Sequence, residues 1–419
     1  MHSPFLFALG LATSLAPFSA AHTAFTTLFI NDVNQGDGTC IRMAKEGNLA
    51  THPLAGGLDS EDMACGRDGQ NAVAFSCPAP AGAKLTLEFR EWADAAQPGS
   101  IDPSHVGPMA IYLKQVSDMQ SDSAAGKGWF KIWDEGFDTA AGKWATEKLI
   151  DNNGLLSINL PSGLPTGSYL ARHEIITLQN VTNDKTDAQF YVGCAQLAIE
   201  GPSDSPIPSD KTVPIPGHIS DPADPGLTFN VYTADASTYP IPGPAIFFPT
   251  SPTPSNRNRQ TRRQQSSGLV PPTCVLKNAN WCASALPAYT DEAGCWASAE
   301  DCWTQLEACY DSAPPSGSKG CKVWEERVCT VVSDGCGAGS VRGPPVVEGL
   351  GEGVDAPIPG GRLPEAVNAG QRGTEGGGGG VGGSPTPVSG GAGAAETSGL
   401  EGGKRVRCRG LEGRRAALP

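Results

Sequence analysis

After its first twenty-one residues the chain has no apolar run long enough to cross a bilayer, and no hydrophobic tail for a lipid anchor. Residues 22–248 show no sustained helical periodicity, which argues against a helix bundle. They also lack basic charge, with 13 Lys and Arg against 27 Asp and Glu, while the remainder balances at 17 and 17. An excess of fourteen negative charges in one region argues against nucleic acid or an anionic membrane as partner. No pair of carboxylates stands out as the facing acid and base a glycoside hydrolase needs. A neutral polymer or a small ligand is easier to accommodate.

What is present begins with MHSPFLFALGLATSLAPFSAA, a short apolar stretch ending in small residues at Ser19, Ala20 and Ala21. Although it has no Lys or Arg near its start, it reads as a secretory signal over 1–21. The expectation is a secreted, extracellular protein whose mature chain starts at His22. Thirteen cysteines then imply disulfides, because the extracellular side is oxidising. Four of them (Cys40, Cys65, Cys77, Cys194) lie before residue 200, eight crowd between Cys274 and Cys336, and Cys408 stands alone.

In residues 22–248 the apolar runs are short and often alternate, as in KLTLEFREW (84–92), PMAIYLKQV (108–116) and QFYVGCAQLAIEG (189–201), with Gly, Pro, Asp and Asn between them. This pattern predicts an all-β, immunoglobulin-like or fibronectin-like antiparallel β-sandwich with long loops. Residues 249–273 read as a polar Pro/Ser/Arg linker, and 274–336 as a small Cys-rich accessory module stapled by up to four disulfides. Residues 337–419, Gly-rich with almost no aromatics, are expected to be a disordered tail.

His22, once freed at the N-terminus, offers an imidazole and an α-amine that can chelate one metal. His105 lies in the turn IDPSHVGP leading into a strand, where a solvated histidine would be unremarkable alone. Gln189 and Tyr191 are two apart on a strand and so face one side. His173, in YLARHEIITLQ, fits either a hydrogen-bonded core position or a site position. Together they sketch a metal held by the nitrogens of His22 and His105 beside the Tyr191 phenol, with His173 and Gln189 as polar neighbours. Nitrogen donors suit copper(II) better than magnesium or calcium, and zinc would usually recruit another strong ligand or a carboxylate.

The chain resembles the fungal lytic polysaccharide monooxygenases of auxiliary activity family nine. DMACGRDG (62–69), SHVGP (104–108), GWFKIWDEG (128–136), YLARHEIITLQ, QFYVGCAQL (189–197) and YPIPGPAIFF (239–248) carry the resemblance in the family's order. It implies copper bound by His22 through amine and ring and by His105, with Tyr191 axial and catalytic, and with His173 and Gln189 hydrogen-bonding the oxygen species. It further implies oxidative cleavage of cellulose or a related β-1,4-glucan, an external electron donor, and dioxygen or hydrogen peroxide as co-substrate. A disulfide between Cys65 and Cys194 is implied too, leaving Cys40 with Cys77.

The chain departs from the family where many members carry a flat-face tyrosine after Pro-Gly; here His218 and Ile219 stand there. The family's small cellulose-binding module is not recognisable in 274–336. Asn180-Val181-Thr182 is an N-glycosylation acceptor sequence at what could equally be an unused strand end. A rival reading is a secreted copper- or polysaccharide-binding protein on the same scaffold, without turnover. Either way a monomer is expected. The six aromatics of the module (Trp281, Tyr289, Trp296, Trp303, Tyr310, Trp324) either fill a minimal core or form a stacking face for a sugar polymer on a flexible tether.

Overall fold

A computed structural model describes residues 22–202, 206–250 and 268–367. The signal segment, most of the linker, Cys408 and the tail beyond 367 lie outside the described residues. Two sheets form the body. One runs in the order Leu155–Asn159, Lys84–Arg90, Ala24–Ile30, Val33–Asn34. The other runs Val213–Ile215, Gly126–Glu135, Met109–Val116, Gly167–Thr177, Gln189–Glu200, Ile41–Arg42, with Cys77–Pro80 parallel to the far end of Gln189–Glu200. All the other pairings of the two sheets are antiparallel. This is the β-sandwich that the alternating runs predict.

Strand periodicity decides what each face buries. Along Gly167–Thr177, Tyr169, Ala171 and Ile175 point into the space between the sheets, against Phe25, Leu87 and Phe89. Leu170 and Ile176 point the other way, into a second apolar layer with Met63, Tyr112, Trp129 and Phe190. That outer layer exists because segments around residues 54–65 and 213–239 wrap the back of the larger sheet. Both faces being covered explains why this strand is buried along nearly its whole length.

Cys40 is bridged to Cys77, and Cys65 to Cys194. The second bridge ties the short helix Asp62–Cys65 to the strand that carries Tyr191, three residues away.

The Cys-rich segment is a helical hairpin. Helix Glu292–Ser312 lies antiparallel to a second helical run, Lys319–Trp324, Glu325–Cys329 and Thr330–Gly337, through bridges Cys295 to Cys336, Cys302 to Cys329 and Cys309 to Cys321. On the first helix the cysteines recur every seven residues; on the second the steps are seven and eight. The extra residue is absorbed by the π-helical turn Glu325–Cys329, which lies inside the longer step. A small hairpin, Leu276–Asn278 with Trp281–Ala283, is closed by Cys274 bridged to Cys282.

Two expectations change here. Residues 337–367 are placed rather than disordered: Leu350 enters the module's core, and Val367 donates its N–H to the Ser157 carbonyl (2.9 Å). The run is poor in aromatics but supplies enough aliphatic side chains to dock. The module also packs on the sandwich instead of hanging free. Asn280 accepts from Cys40 N–H (2.9 Å) and donates to the Gly38 carbonyl (2.8 Å), and Lys277 donates to the Gln35 carbonyl.

Candidate metal centre

Thr23 fixes the start of the sandwich. Its N–H donates to the Thr51 carbonyl (3.0 Å) and its hydroxyl to the Ser100 carbonyl (2.7 Å), which draws His22 between the 49–54 segment and the 100–107 turn. The His22 ring lies on the His52 ring, with centroids 3.6 Å apart and planes tilted by 34°. Imidazole lone pairs lie in the ring plane, so two stacked rings send theirs side by side rather than to one point. His52 therefore supports the His22 ring and is not a converging ligand. The sequence gives no periodic signal for His52, which sits in a Pro- and Gly-rich loop.

His105 is buried in its turn, with its N–H on the Asp102 carbonyl (2.9 Å) and Nδ1 against the Ser104 hydroxyl (3.1 Å). Its ring centroid is 6.0 Å from that of Tyr191. Burial, with the Asp102 charge adding to it, pushes the Tyr191 phenol well above its ordinary range, so it stays protonated. The Tyr191 hydroxyl donates to Gln189 Oε1 (3.4 Å), which also accepts from Gln179 Nε2 (2.9 Å). With that oxygen occupied twice, Gln189 keeps its amide –NH2 as the group it can offer to a species in the site.

His173 is placed differently from the sequence expectation. It pairs across the sheet with Gly193, whereas Gln189 pairs with Thr177. Four residues along a strand is about 13 Å, so His173 stands away from Gln189 although both share a face. Its ring is buried edge-on to Phe25 (5.5 Å) and Phe89 (5.0 Å). A Cβ at position 193 would come within 2.7 Å of that ring, so Gly193 is required by the packing. Burial, aided by Arg172, lowers the His173 pKa to about 3, so it is neutral at ordinary pH. The neighbour of Gln189 is instead Gln179, which the sequence reading passed over. Gln179 Oε1 is itself a buried acceptor without a hydrogen-bond partner. Tyr232, 67% exposed, donates to the Gln179 carbonyl (2.9 Å) and brings an aromatic ring to the rim of this cluster.

The sequence model of Auxiliary Activity family 9 (formerly GH61) matches residues 22–239. AA9 family lytic polysaccharide monooxygenase C of Aspergillus tamarii is 44% identical over 347 residues, 81% of this chain and 91% of that protein. Monooxygenase H of Botryotinia fuckeliana (strain B05.10) is 46% identical over 350 residues, covering 82% and 79%. The chain belongs to this family. As an AA9 lytic polysaccharide monooxygenase it cleaves polysaccharide oxidatively, in a family that works with copper and an external reductant. The solved chain titled CvAA9A is 32% identical, with a TM-score of 0.48, over 55% of this chain and 100% of that one.

The donors expected from the sequence, the His22 nitrogens, the His105 ring and the Tyr191 phenol, would fit copper. Among the described residues no three His, Cys, Asp or Glu side chains gather as a metal cluster. A site of two imidazoles completed by a main-chain amine and a phenol draws only two side chains of those kinds. Nitrogen-rich, carboxylate-poor donors are what copper(II) prefers.

Neutral buried His173 makes a stability prediction for this AA9 enzyme. Its folded pKa is depressed below the unfolded value near 6.5, so the unfolded chain binds the extra proton between about pH 6.5 and 3. Stability from this group is complete above pH 6.5 and is lost as pH falls; by pH 4 the loss is roughly 3 kcal/mol. His173→Leu, whatever it costs at pH 7, is expected to flatten the pH 7-to-4 slope by that amount in urea unfolding. An unchanged slope would show that His173 is solvated.

Proposed function

We propose that this chain, secreted and cut before His22, holds one copper ion through the His22 amine and ring, the His105 ring and the Tyr191 phenol, and cleaves cellulose or a related β-1,4-glucan. The observation that supports the reading is the cluster of His105, Tyr191, Gln189 and Gln179, together with the His22 ring stacked on that of His52. Copper held by these residues and reduced by the external donor would supply, with dioxygen or hydrogen peroxide, the oxidising power needed to remove a sugar hydrogen beside the glycosidic bond. The protein's own part is positional. Tyr191 stays a neutral phenol, Gln179 locks the Gln189 carbonyl, and the Gln189 –NH2 donates a hydrogen bond that orients a co-substrate oxygen. Tyr232 offers a ring at the rim for a sugar face.

The division of labour belongs to this proposal: catalysis in 22–248, and an accessory role for 274–336 with the residues up to 367 that pack on it. So do a monomeric state and an N-glycan at Asn180, which is exposed and donates to Asp187 Oδ2 (3.0 Å).

The test is release of oxidised oligosaccharides from amorphous cellulose by the copper-loaded protein with a reductant. Gln189→Ala is expected to keep copper affinity within about threefold and to lower turnover about a hundredfold, the cost of one orienting donor at a reacting oxygen. Loss of copper by this variant would place Gln189 among the ligands. Wild-type copper binding without oxidised products would leave a binding protein on this scaffold.

A further inference from the structure

The six aromatics of the Cys-rich segment divide in the structure. Trp324 and Tyr289 are buried and Trp281 packs partly against Trp324, so these three serve the core. Trp296, Trp303 and Tyr310 are 47%, 40% and 42% exposed, and all three lie on helix Glu292–Ser312. Each directly follows a bridged cysteine, Cys295, Cys302 and Cys309, so the rings inherit the seven-residue period of the staples.

Seven residues of α-helix rise about 10.5 Å and fall only about 20° short of two full turns. The three rings therefore form a nearly straight row about 21 Å long on a helix pinned at three levels to its neighbour. Two ring edges are tied inward: Trp303 Nε1 donates to the Ser333 hydroxyl (2.9 Å), and the Tyr310 hydroxyl to Glu325 Oε2 (2.7 Å). What those two leave to solvent is ring surface rather than a donor. Exposed Glu300 and Glu307 fall between the rings, at four residues after one and three before the next. The helix carries five carboxylates and no Lys or Arg.

An acidic helix repels nucleic acid, anionic lipid and acidic glycans. Its rings are too separated to make a continuous apolar seam for a partner helix. Spaced rings alternating with hydrogen-bond acceptors suit a neutral, extended, polyhydroxylated chain. A β-1,4-glucan turns the same sugar face outward every second unit, and its two-sugar repeat is close to one ring-to-ring step. The likeness to the Aspergillus tamarii enzyme spans 347 residues, more than the 22–239 match to the family model can hold, so it runs on into this part of the chain.

We propose that Trp296, Trp303 and Tyr310, with Glu300 and Glu307 between them, form a stacking row for a β-1,4-glucan chain, separate from the copper site. The inference rests on the polysaccharide substrate proposed above, and its test is independent of turnover. Depletion isotherms on crystalline cellulose would compare full-length wild type, the Trp296→Ala/Trp303→Ala/Tyr310→Ala triple variant and the conservative Trp303→Tyr variant. The triple variant is expected to lose about tenfold or more in partition onto cellulose while keeping copper affinity and turnover on soluble cello-oligosaccharide. Trp303→Tyr is expected to adsorb within about twofold of wild type. If the triple variant fails to fold, Trp296→Ala alone carries the test, with an expected loss of about threefold. Unchanged adsorption in a folded variant overturns the row as a glucan site. So does a rise in wild-type adsorption on anionic vesicles above that on cellulose. An outcome in which replacing Arg257, Arg259, Arg262 and Arg263 by Ser abolishes all dependence on the rings also overturns it, since the linker would then be their occupant.

Discussion

One extra residue ahead of His22 is expected to weaken copper binding by about a hundredfold to a thousandfold. In the uncut chain the His22 nitrogen is a peptide amide; only cleavage makes it an amine. An amine gives up a proton to a bound cation at neutral pH, because its pKa is near 8, whereas an amide does so far less readily. Tight protein metal sites are worth on the order of 10 kcal/mol or more, so one of three nitrogen donors accounts for about 3–4 kcal/mol. That is the stated loss in affinity. His52 does not replace the lost nitrogen while it stays stacked on the His22 ring, because its lone pairs run beside those of His22. His105→Ala removes a different donor and is expected to cost as much. Calorimetric titration of copper into the mature and extended forms measures this. Equal affinities would take the amine out of the site and require the His22 ring, His105 and Tyr191 to bind copper without it.

The sandwich was readable because strand alternation is local. KLTLEFREW and PMAIYLKQV became Lys84–Arg90 and Met109–Val116 almost as written. That Gln189 and Tyr191 face one side was readable for the same reason, since residues two apart on a strand share a face. His105 sits in a turn, outside any alternation, and was singled out only by combination with the other candidates and by the family resemblance. His173 and Gln179 show where that reasoning stops. Both lie on one face of one chain segment, and periodicity cannot say which of them reaches Gln189. Only the register, Thr177 opposite Gln189 and Gly193 opposite His173, decides it. The helical hairpin was legible in principle: Cys295, Cys302 and Cys309 repeat at seven, the period of one helix face. Counting cysteines as staples obscured their period. The 337–367 segment was misread because Gly and Pro argue against regular structure but not against docking by a few aliphatic side chains such as Val347, Leu350 and Val354.

Removing the Glu174 charge is expected to destabilise the sandwich by about 3–5 kcal/mol, the usual cost of orphaning one partner of a buried ion pair. Glu174 lies on the face of its strand opposite His173, beneath the loop that carries His218. Its Oε2 meets Arg172 Nη2 at 2.6 Å and His218 Nε2 at 2.8 Å, and its Oε1 accepts from the Tyr112 hydroxyl at 3.2 Å. Burial pushes the Glu174 carboxyl up, but Arg172 and His218 pull it down further, leaving it well below the usual carboxylate range. The same contact explains why the position after Pro216 and Gly217 offers no sugar-facing ring: His218 is drawn into the sheet and packs edge-on to Tyr112 (5.6 Å). In Glu174→Gln the shape and some hydrogen bonds survive, but the Arg172 guanidinium, fully buried and otherwise bonded through Nε to the Met63 carbonyl (2.9 Å), loses its counter-charge. A melting temperature lower by about 10 °C follows for a domain of this size. The pH dependence has a definite sign. A depressed carboxyl contributes stability in full above its unfolded pKa near 4.3 and loses it as pH falls toward the folded value. The carboxyl's own share of the difference between wild type and Glu174→Gln should therefore be present in full above about pH 5 and shrink only below about pH 4, whereas the His173 effect already acts between pH 6.5 and 4. Copper affinity should not change, because no atom of this cluster is among the proposed ligands. A Glu174→Gln variant that melts with wild type at pH 7 would mean that Arg172 finds water in place of the carboxylate.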